Sequence, residues 1–346
     1  MNALVLTAPS RLEYGEIPVA DVCEDEVLVE VRACGICGSD VHGIDGSTRR
    51  RIPPLVMGHE ASGVIAKLGA GVSGWAVGDR VTFDSTVSCG KCQFCAQGQV
   101  NLCDERQVLG VSCDEYRRDG AMAEFVAIPA RILFSIPEEL SFARAALLET
   151  LSIAVHAVRR AAASPGDTAV VVGTGMVGLL VVQALQAKGC EHVIGVDINP
   201  ERLALAEHFG AETICGGAEV AAPMIRERTR GRGADLAIEV VGLSDPIETA
   251  IASVRKGGRV CLVGNVSPRV EMNLQSTVTR EITLYGSCAS AGEYPECIEL
   301  LSSGKVDVDP VITAVAPLSE GAAWFDRLGT AGDLMKVVLE PTKGVS

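Results

Sequence analysis

The chain has 346 residues, a formal net charge of −14 and 48% hydrophobic residues. A nucleic-acid surface needs clustered Lys and Arg, so this charge argues against a nucleic-acid partner. No run of about 18 uncharged apolar residues is present, and we therefore expect no transmembrane helix and no membrane partner. The N-terminal residues lack a basic segment followed by a long apolar one, so no secretory signal is expected. The length predicts two domains.

The first part of the chain has the pattern of a β-rich domain. Glu26–Arg32 alternates apolar and polar residues, which indicates a half-buried strand. Gly63–Gly69 and Gly78–Phe83 are short apolar runs bounded by glycine, which is also typical of strands. Around Phe142–Ala163 the chain becomes rich in Ala and Leu, and this composition predicts a helix.

Four cysteines within this part of the chain indicate a metal site. They are Cys89, Cys92, Cys95 and Cys103. Four clustered thiolates are the ligand set of a closed, tetrahedral structural zinc, which does no chemistry itself. The alternative is a pair of disulfides, as in small secreted chains. The 13 cysteines are an odd number and no signal segment precedes them, so a reducing, cytoplasmic location and zinc are favoured.

A second pattern begins after Pro165, in which apolar strands alternate with helices. Such alternation predicts βαβ units and a doubly wound parallel sheet. The predicted strands and helices are Thr168–Val172, Val177–Lys188 (helix), Val193–Asp197, Pro200–Phe209 (helix), Asp235–Val241, Arg259–Gly264 and Ile282–Gly286. The remaining sixty or so residues contain a predicted helix, Tyr294–Ser302, and strand, Met335–Leu339. They are too few for a domain of their own, so we expect them to complete the first domain.

A dinucleotide site is predicted where the first of these strands ends. Gly173, Gly175 and Gly178 form a GxGxxG motif that directly follows a buried strand and opens a helix, and Met176 and Val177 lie within this motif. The three glycines allow the tight turn, the approach of the pyrophosphate and close packing of helix on strand, while the helix N-terminus attracts the phosphates.

The next strand ends at Asp197, 24 residues after Gly173. A carboxylate there accepts hydrogen bonds from the ribose hydroxyls and repels a 2′-phosphate, which favours NAD over NADP. Arg202 is either an adenine contact or an ordinary arginine on a helix surface.

A second, catalytic zinc is predicted in the first domain. Such a zinc has three protein ligands and one open position. Cys37 and His59 supply two ligands, and the third is a carboxylate, either Glu60 or Glu149. Asp40 is placed to accept the other ring N–H of His59 and so to orient the imidazole.

Several other cysteines and histidines are not expected to bind a metal. Cys34 and Cys113 are expected to be small buried apolar residues, and His156, His192 and His208 structural or surface residues. The basic run Arg49–Arg51 is either a solvated loop or a group that steers an anionic substrate.

Together these motifs resemble the zinc-containing medium-chain dehydrogenase/reductase family. The resemblance rests on Cys37–His42, Gly58–Gly69, Gly78–Val81, the four cysteines, and the GxGxxG motif with Asp197. It implies an α/β fold: a Rossmann doubly wound parallel sheet plus a β-rich, partly barrel-like (GroES-like) catalytic domain. The implied boundaries are a catalytic zinc-binding β domain at 1–153, completed by 289–346, and a Rossmann dinucleotide-binding domain at 154–288.

Within that family the carboxylate at Glu149 resembles the polyol (sorbitol-like) dehydrogenase branch. The segment Thr82–Arg118 is also similar to the galactitol-phosphate type. Two departures concern the substrate: Thr150 replaces a proline, and Ala289 and Ser290 replace an arginine–tyrosine pair that binds sorbitol hydroxyls. The resemblance implies NAD-dependent interconversion of a polyol, or polyol phosphate, and a ketose.

The implied mechanism assigns roles to a few side chains. Zinc lowers the pKa of the substrate hydroxyl, the proton leaves through Ser39, the nicotinamide ribose and His42, and hydride passes to the nicotinamide. Glu149 is the third expected catalytic residue. The alternatives are a threonine-type or a simple secondary-alcohol dehydrogenase. We also expect a homodimer or homotetramer, in which Ile282–Tyr285 either pairs across a dimer or is only the last Rossmann strand.

Overall fold

The computed structural model describes residues 1–113, 116–330 and 334–341. These divide into two compact units. Unit 1 consists of Met1–Glu149, Ser290–Ser302 and the described residues from Val308 onward; unit 2 consists of Thr150–Ala289 and Ser303–Asp307. The end of the chain therefore returns to the unit in which the chain began.

The N-terminal part of unit 1 is built mostly from short strands. The strands are β1 (Asn2–Ala8), β2 (Arg11–Glu16), β3 (Glu26–Gly35), β4 (Leu55–Val56), β5 (Glu60–Leu68), β6 (Arg80–Phe83), β7 (Thr86–Val87), β8 (Gln107–Val108), β9 (Val111–Ser112), β10 (Arg117–Arg118), β11 (Phe125–Pro129) and β12 (Leu133–Ser135). The helices are α1 (Gly38–Gly43), α2 (Gln93–Ala96), α3 (Phe142–Ala146) and α4 (Leu148–Arg160), the last of which continues into unit 2.

Unit 2 alternates strands and helices. Its further elements are β13 (Thr168–Val172), α5 (Met176–Lys188), β14 (His192–Asp197), α6 (Pro200–His208), β15 (Glu212–Cys215), α7 (Ala218–Arg228), β16 (Ala234–Glu239), α8 (Ser244–Ser253), β17 (Val254–Leu262), α9 (Leu274–Thr279) and β18 (Thr283–Gly286). The returning segment of unit 1 adds α10 (Tyr294–Ser302), β19 (Ile312–Pro317), α11 (Gly321–Thr330) and β20 (Lys336–Glu340).

The main sheet of unit 1 has the strand order β12-β6-β5-β3-β20-β19, with β11 also paired to β3. Its central strand β3 is buried at most of its positions, because both of its edges are paired and its side chains enter the apolar core. β5 and β20 both run antiparallel to β3, so the start of each lies beside the end of β3. Within the described residues this sheet does not close into a barrel.

The sheet of unit 2 has six parallel strands in the order β15-β14-β13-β16-β17-β18. β13 is central, and its run of Ala and Val is buried, as a parallel strand covered on both faces requires. Both parts of the predicted fold class, the parallel Rossmann sheet and a separate β-rich unit, are confirmed.

The predicted helix over Phe142–Ala163 is divided in two. The amide of Leu147 donates to the carbonyl of Arg144, three residues back, and α3 ends at this tightened turn before α4 begins. Among the described residues, no helix combines the length and apolar character that crossing a bilayer requires.

Candidate metal centres and cofactor site

The structure brings three of the predicted metal ligands together in unit 1. One ligand atom each from Cys37, His59 and Glu60 lies within 4.8 Å of the others, and His59 and Glu60 are buried. A thiolate, an imidazole and a carboxylate are ligands that zinc accepts, so this group fits a zinc ion with a further position free for substrate. Glu149 does not belong to this group among the described residues.

Strand pairing explains why these ligands meet. Cys37 follows the end of β3, whereas His59 and Glu60 stand at the start of β5, and the antiparallel register places Gly35 opposite Glu60. A Cβ on Gly35 would lie 2.3 Å from Oε2 of Glu60, so any side chain there would displace the carboxylate. Glycine at position 35 therefore makes room for the third ligand.

Lys336 is part of this centre and was missed by the sequence analysis. It begins β20, is buried, and its Nζ lies 2.6 Å from Oε2 and 2.9 Å from Oε1 of Glu60. The same Nζ donates to the carbonyl of Ile36 at 3.1 Å. Burial lowers the pKa of Lys336, but the negative charge of Glu60 outweighs this and raises it overall. Only the register of β20 on β3 could reveal this contact across 276 residues.

Asp40 lies beside the imidazole of His59. Its Nδ1 lies 3.5 Å from Oδ1 of Asp40, which is completely buried. Burial alone raises the pKa of Asp40, but the charges of His59 and Arg51 hold it well below its usual range. Burial lowers the pKa of His59, but Asp40 and then Cys37 raise it overall. The carboxylate therefore stays ionised behind the imidazole.

Glu149 lies at the beginning of α4 and is buried. Its Oε1 accepts a hydrogen bond of 3.2 Å from the hydroxyl of Ser85. Burial raises the pKa of Glu149 to about 7; His59 opposes this shift, and the neighbouring Glu60 and Asp84 add to it. At neutral pH this carboxyl group can both hold and release a proton.

Asp84 is a second buried carboxylate, and it leads to a prediction on stability. Its Oδ1 accepts from the amide of Thr86 and its Oδ2 from Ser290, yet burial raises its pKa from 3.8 to about 6. The folded state therefore binds this proton more tightly than the unfolded state, and the stabilisation is lost as the pH rises through 6.

Asp84→Asn keeps the shape and the contact with Thr86, and removes the charge. We expect the variant to exceed the wild type in stability above pH 7, by up to about 3 kcal/mol for 2.2 pKa units (6 − 3.8), and less toward pH 5. Urea unfolding at pH 5 to 8 measures this, with the same change at exposed Asp21 as the control. A constant difference across that range contradicts the prediction.

The predicted proton relay residues Ser39 and His42 lie on α1. Both are exposed, and they stand three residues apart, so they share one side of the helix. The Ser39 hydroxyl donates to Sγ of Cys37 at 3.2 Å. Ser39 therefore lies beside the metal ligand Cys37, and His42 is exposed on the same helix.

The four-cysteine segment folds as a compact loop around α2. All four Sγ atoms of Cys89, Cys92, Cys95 and Cys103 lie within 4.8 Å of one another, and none forms a disulfide. A tetrahedron with Zn–S bonds of 2.3 Å has S–S edges of roughly 3.8 Å. The Sγ atoms of Cys92 and Cys95 are 3.5 Å apart and those of Cys89 and Cys95 4.0 Å apart, so the segment fits zinc.

Backbone amides in this loop stabilise the ionised, thiolate form of its cysteines. Amides of Cys89 and Glu105 donate to Sγ of Cys103, and the amide of Cys92 donates to Sγ of Cys89. Backbone hydrogen bonds, first from Cys95 and then from Asp104, lower the pKa of Cys92 to about 6. Burial raises the pKa of Cys103 to about 11, a cost that a bound cation offsets.

The glycine-rich loop of unit 2 has the form that a dinucleotide needs. Gly173 has a φ of +93°, and a Cβ on Gly178 would lie 1.9 Å from the carbonyl oxygen of Gly173. A Cβ on Gly175 would meet nothing within 4 Å. The first and third glycines are thus required by the turn and by packing, while the second faces open space that a pyrophosphate can enter.

Met176 and Val177 begin α5 with Gly178, and these first amides have no partner within the helix. Asp197 ends β14, where its Oδ2 accepts from the amide and the hydroxyl of Thr174 and its Oδ1 from the amide of Asn199. Asp197 is therefore held in place beside the glycine-rich loop. Arg202 is exposed on α6.

The remaining predicted residues occupy several places. Cys34 is buried as expected, whereas Cys113 is only half-buried. His156 is buried, and His192 and His208 are exposed. Arg49 and Arg50 are exposed, but Arg51 is not part of a solvated loop, because it is buried against Asp40.

Two sequence families match the chain. Residues 23–138 match the family described as Alcohol dehydrogenase GroES-like domain, and residues 176–303 match the family described as Zinc-binding dehydrogenase. The first match contains both clusters of metal ligands. The second match begins at the first residue of α5, the helix that the glycine-rich motif opens.

Several similar proteins are named for an activity on sugar alcohols or on the related ketoses. Sorbitol dehydrogenase of Bacillus subtilis is 36% identical over 99% of this chain and 98% of its own length. Probable D-xylulose reductase A of Aspergillus terreus is 35% identical over 97% of both. The crystal structure of galactitol-1-phosphate dehydrogenase from Escherichia coli has a TM-score of 0.91 and 26% identity, covering 99% of this chain and 100% of its own. The chain belongs to the zinc-containing medium-chain dehydrogenase/reductase family, in its polyol dehydrogenase branch.

Proposed function

We propose that this protein is a zinc- and NAD-dependent dehydrogenase that interconverts a secondary alcohol of a sugar alcohol, or sugar-alcohol phosphate, with the corresponding ketose. The observation that carries the proposal is the convergence of Cys37, His59 and Glu60 within 4.8 Å. That ligand set has a carboxylate in place of a second thiolate, and the chain is 36% identical to a sorbitol dehydrogenase.

In this proposal Cys37, His59 and Glu60 hold the catalytic zinc. The ion supplies Lewis acidity, which lowers the pKa of an alcohol hydroxyl. Asp40 keeps the imidazole of His59 oriented, and Lys336 fixes the carboxylate of Glu60.

The chain's own groups then move the proton. Ser39 accepts it at Oγ, beside Cys37, and releases its own hydroxyl proton, which the exposed imidazole of His42 passes to solvent. Glu149 serves as a further acid or base, because its carboxyl group has a pKa of about 7. It is not a zinc ligand in this proposal.

NAD binds to unit 2 in the proposal and supplies the hydride acceptor. The amides of Met176, Val177 and Gly178 bind the pyrophosphate, and Asp197 accepts hydrogen bonds from the ribose. Arg202 lies against the adenine.

We assign the catalytic zinc-binding domain to residues 1–153 with 289–346, and the dinucleotide-binding domain to residues 154–288. Cys89, Cys92, Cys95 and Cys103 hold the structural zinc. The absence of disulfides among the thirteen cysteines supports a cytoplasmic protein. Among the described residues nothing pairs with the outer edge of β18, the last strand of the sheet of unit 2, which supports assembly into a homodimer or homotetramer.

A substrate panel tests the proposed function. We expect NAD reduction with at least one of sorbitol, xylitol, galactitol or galactitol 1-phosphate, with kcat/KM at least about tenfold above that for threonine or 2-propanol. NADP is run in parallel and is expected to be the poorer cofactor. Faster oxidation of threonine or 2-propanol than of every polyol contradicts the proposed substrate class.

A further inference from the structure

Arg51 has a different environment from the two arginines before it. Arg49 and Arg50 are exposed, whereas Arg51 is only 4% exposed. It follows α1 in the chain and its guanidinium points back to that helix, where it meets Asp40 and Ser39. A buried guanidinium is costly unless it is paired, so its partners define what it does.

The first partner is Asp40. Nη2 and Nε of Arg51 lie 2.6 Å and 3.1 Å from Oδ1 of Asp40, and that same oxygen lies 3.5 Å from Nδ1 of His59. One carboxylate oxygen thus stands between a guanidinium and the imidazole. Because Arg51 fixes this oxygen with two donors in a rigid fork, it also fixes the position of the negative charge beside Nδ1 of His59.

The second partner is Ser39. Nη2 of Arg51 lies 3.4 Å from Oγ of Ser39, which in turn lies 3.2 Å from Sγ of Cys37. Arg51 therefore contacts one residue behind the imidazole and one residue beside the thiolate. A fourth hydrogen bond, from Nη1 to the carbonyl of Arg50 at 3.0 Å, anchors the guanidinium to its own loop.

We propose that Arg51 is a positioning residue of the metal centre, which fixes His59 through Asp40 and sets the hydroxyl of Ser39 beside Cys37. The inference rests on the proposed zinc site. It does not depend on which alcohol is the substrate.

The test compares Arg51→Met with Arg51→Lys, and uses Arg50→Met as the matched control on an exposed neighbour. Loss of a residue that orients a metal ligand commonly weakens metal binding 10- to 100-fold. We expect Arg51→Met to raise the zinc dissociation constant at the catalytic site by about that factor, measured by competition with a chromophoric chelator. The zinc of the four-cysteine segment is the internal reference and is expected to stay bound.

Cobalt replacing the catalytic zinc gives a readout that a purely structural role leaves unchanged. The visible d–d bands are expected to shift in Arg51→Met, to recover in part in Arg51→Lys, and to match the wild type in Arg50→Met. Unchanged bands and zinc affinity in a folded Arg51→Met protein overturn the proposal. If that variant does not fold, Arg51→Lys decides, because a single ammonium cannot reproduce the two-donor contact; wild-type affinity and bands there also overturn it.

Failure of the proposed function is seen separately, in the wild type. A wild-type protein that binds only one zinc, or that oxidises none of the alcohols, contradicts the proposed function whatever the Arg51 variants show. A wild type with two zinc ions and an Arg51→Met variant with unaltered metal binding contradicts only the role of Arg51.

Discussion

Replacing Cys37 by alanine is expected to lower kcat/KM by about ten-thousand-fold or more, which corresponds to at least about 5 kcal/mol of transition-state stabilisation. Cys37 is one of three residues whose ligand atoms lie within 4.8 Å of one another, and two protein ligands rarely hold a catalytic zinc. Zinc per chain should fall from two to one. Binding of NADH, measured by fluorescence titration, should remain, since the glycine-rich loop belongs to unit 2.

Cys34→Ala is the matched control for this change. Cys34 lies on β3 three residues earlier and is buried in the apolar core, so its loss removes a thiol without removing a ligand. We expect it to retain two zinc ions and turnover within about tenfold of the wild type, with a stability loss of about 1 kcal/mol. Substantial turnover in a Cys37→Ala protein verified to lack the catalytic zinc would refute the zinc mechanism.

Replacing Lys336 by methionine is expected to have the largest effect on stability. Methionine keeps much of the side-chain length but leaves the fully buried Glu60 without its ammonium partner. Removing one member of a buried ion pair costs about 3–5 kcal/mol, because the remaining charge stays desolvated. Urea unfolding, with zinc content measured in parallel, gives the loss directly.

The double variant Glu60→Gln/Lys336→Met separates charge from packing. With both charges gone, we expect most of the lost stability to return, although the catalytic zinc is expected to be lost with Glu60. A loss below about 1 kcal/mol in the single variant, or no recovery in the double variant, means that the ion pair does not carry the stability assigned to it.

The elements of this fold could be predicted largely from local patterns. β13 agrees with its predicted bounds, and α5 and β14 each begin one residue earlier than predicted. The strands β13 and β14 are buried on both faces, so each is a continuous apolar run in the sequence. Such a run can be recognised without knowing the partner strands. The division of Phe142–Ala163 into two helices escaped prediction, because a single tightened turn leaves no compositional trace.

The metal ligands were predictable as residue types, but their surroundings were not. Cys37 and His59 stand within recognisable motifs, whereas Lys336 reaches Glu60 only through the pairing of β20 with β3. The pairing of Arg51 with Asp40 could not be predicted for a related reason. A run of three arginines has the composition of a solvated loop, and only the returning path of the chain shows that the third is paired with Asp40.

The discontinuity of unit 1 has a consequence for the order of events during synthesis. The four-cysteine loop is complete once Cys103 has been made, so it can capture its ion early. Glu60 has no ammonium partner until Lys336 is made, which is 233 residues after Cys103 (336 − 103) and takes roughly 10 to 50 s more at about 5–20 residues per second. The nascent protein can therefore acquire its structural ion before its catalytic centre is finished, and a chain that stops before β20 lacks the ammonium group that contacts Glu60.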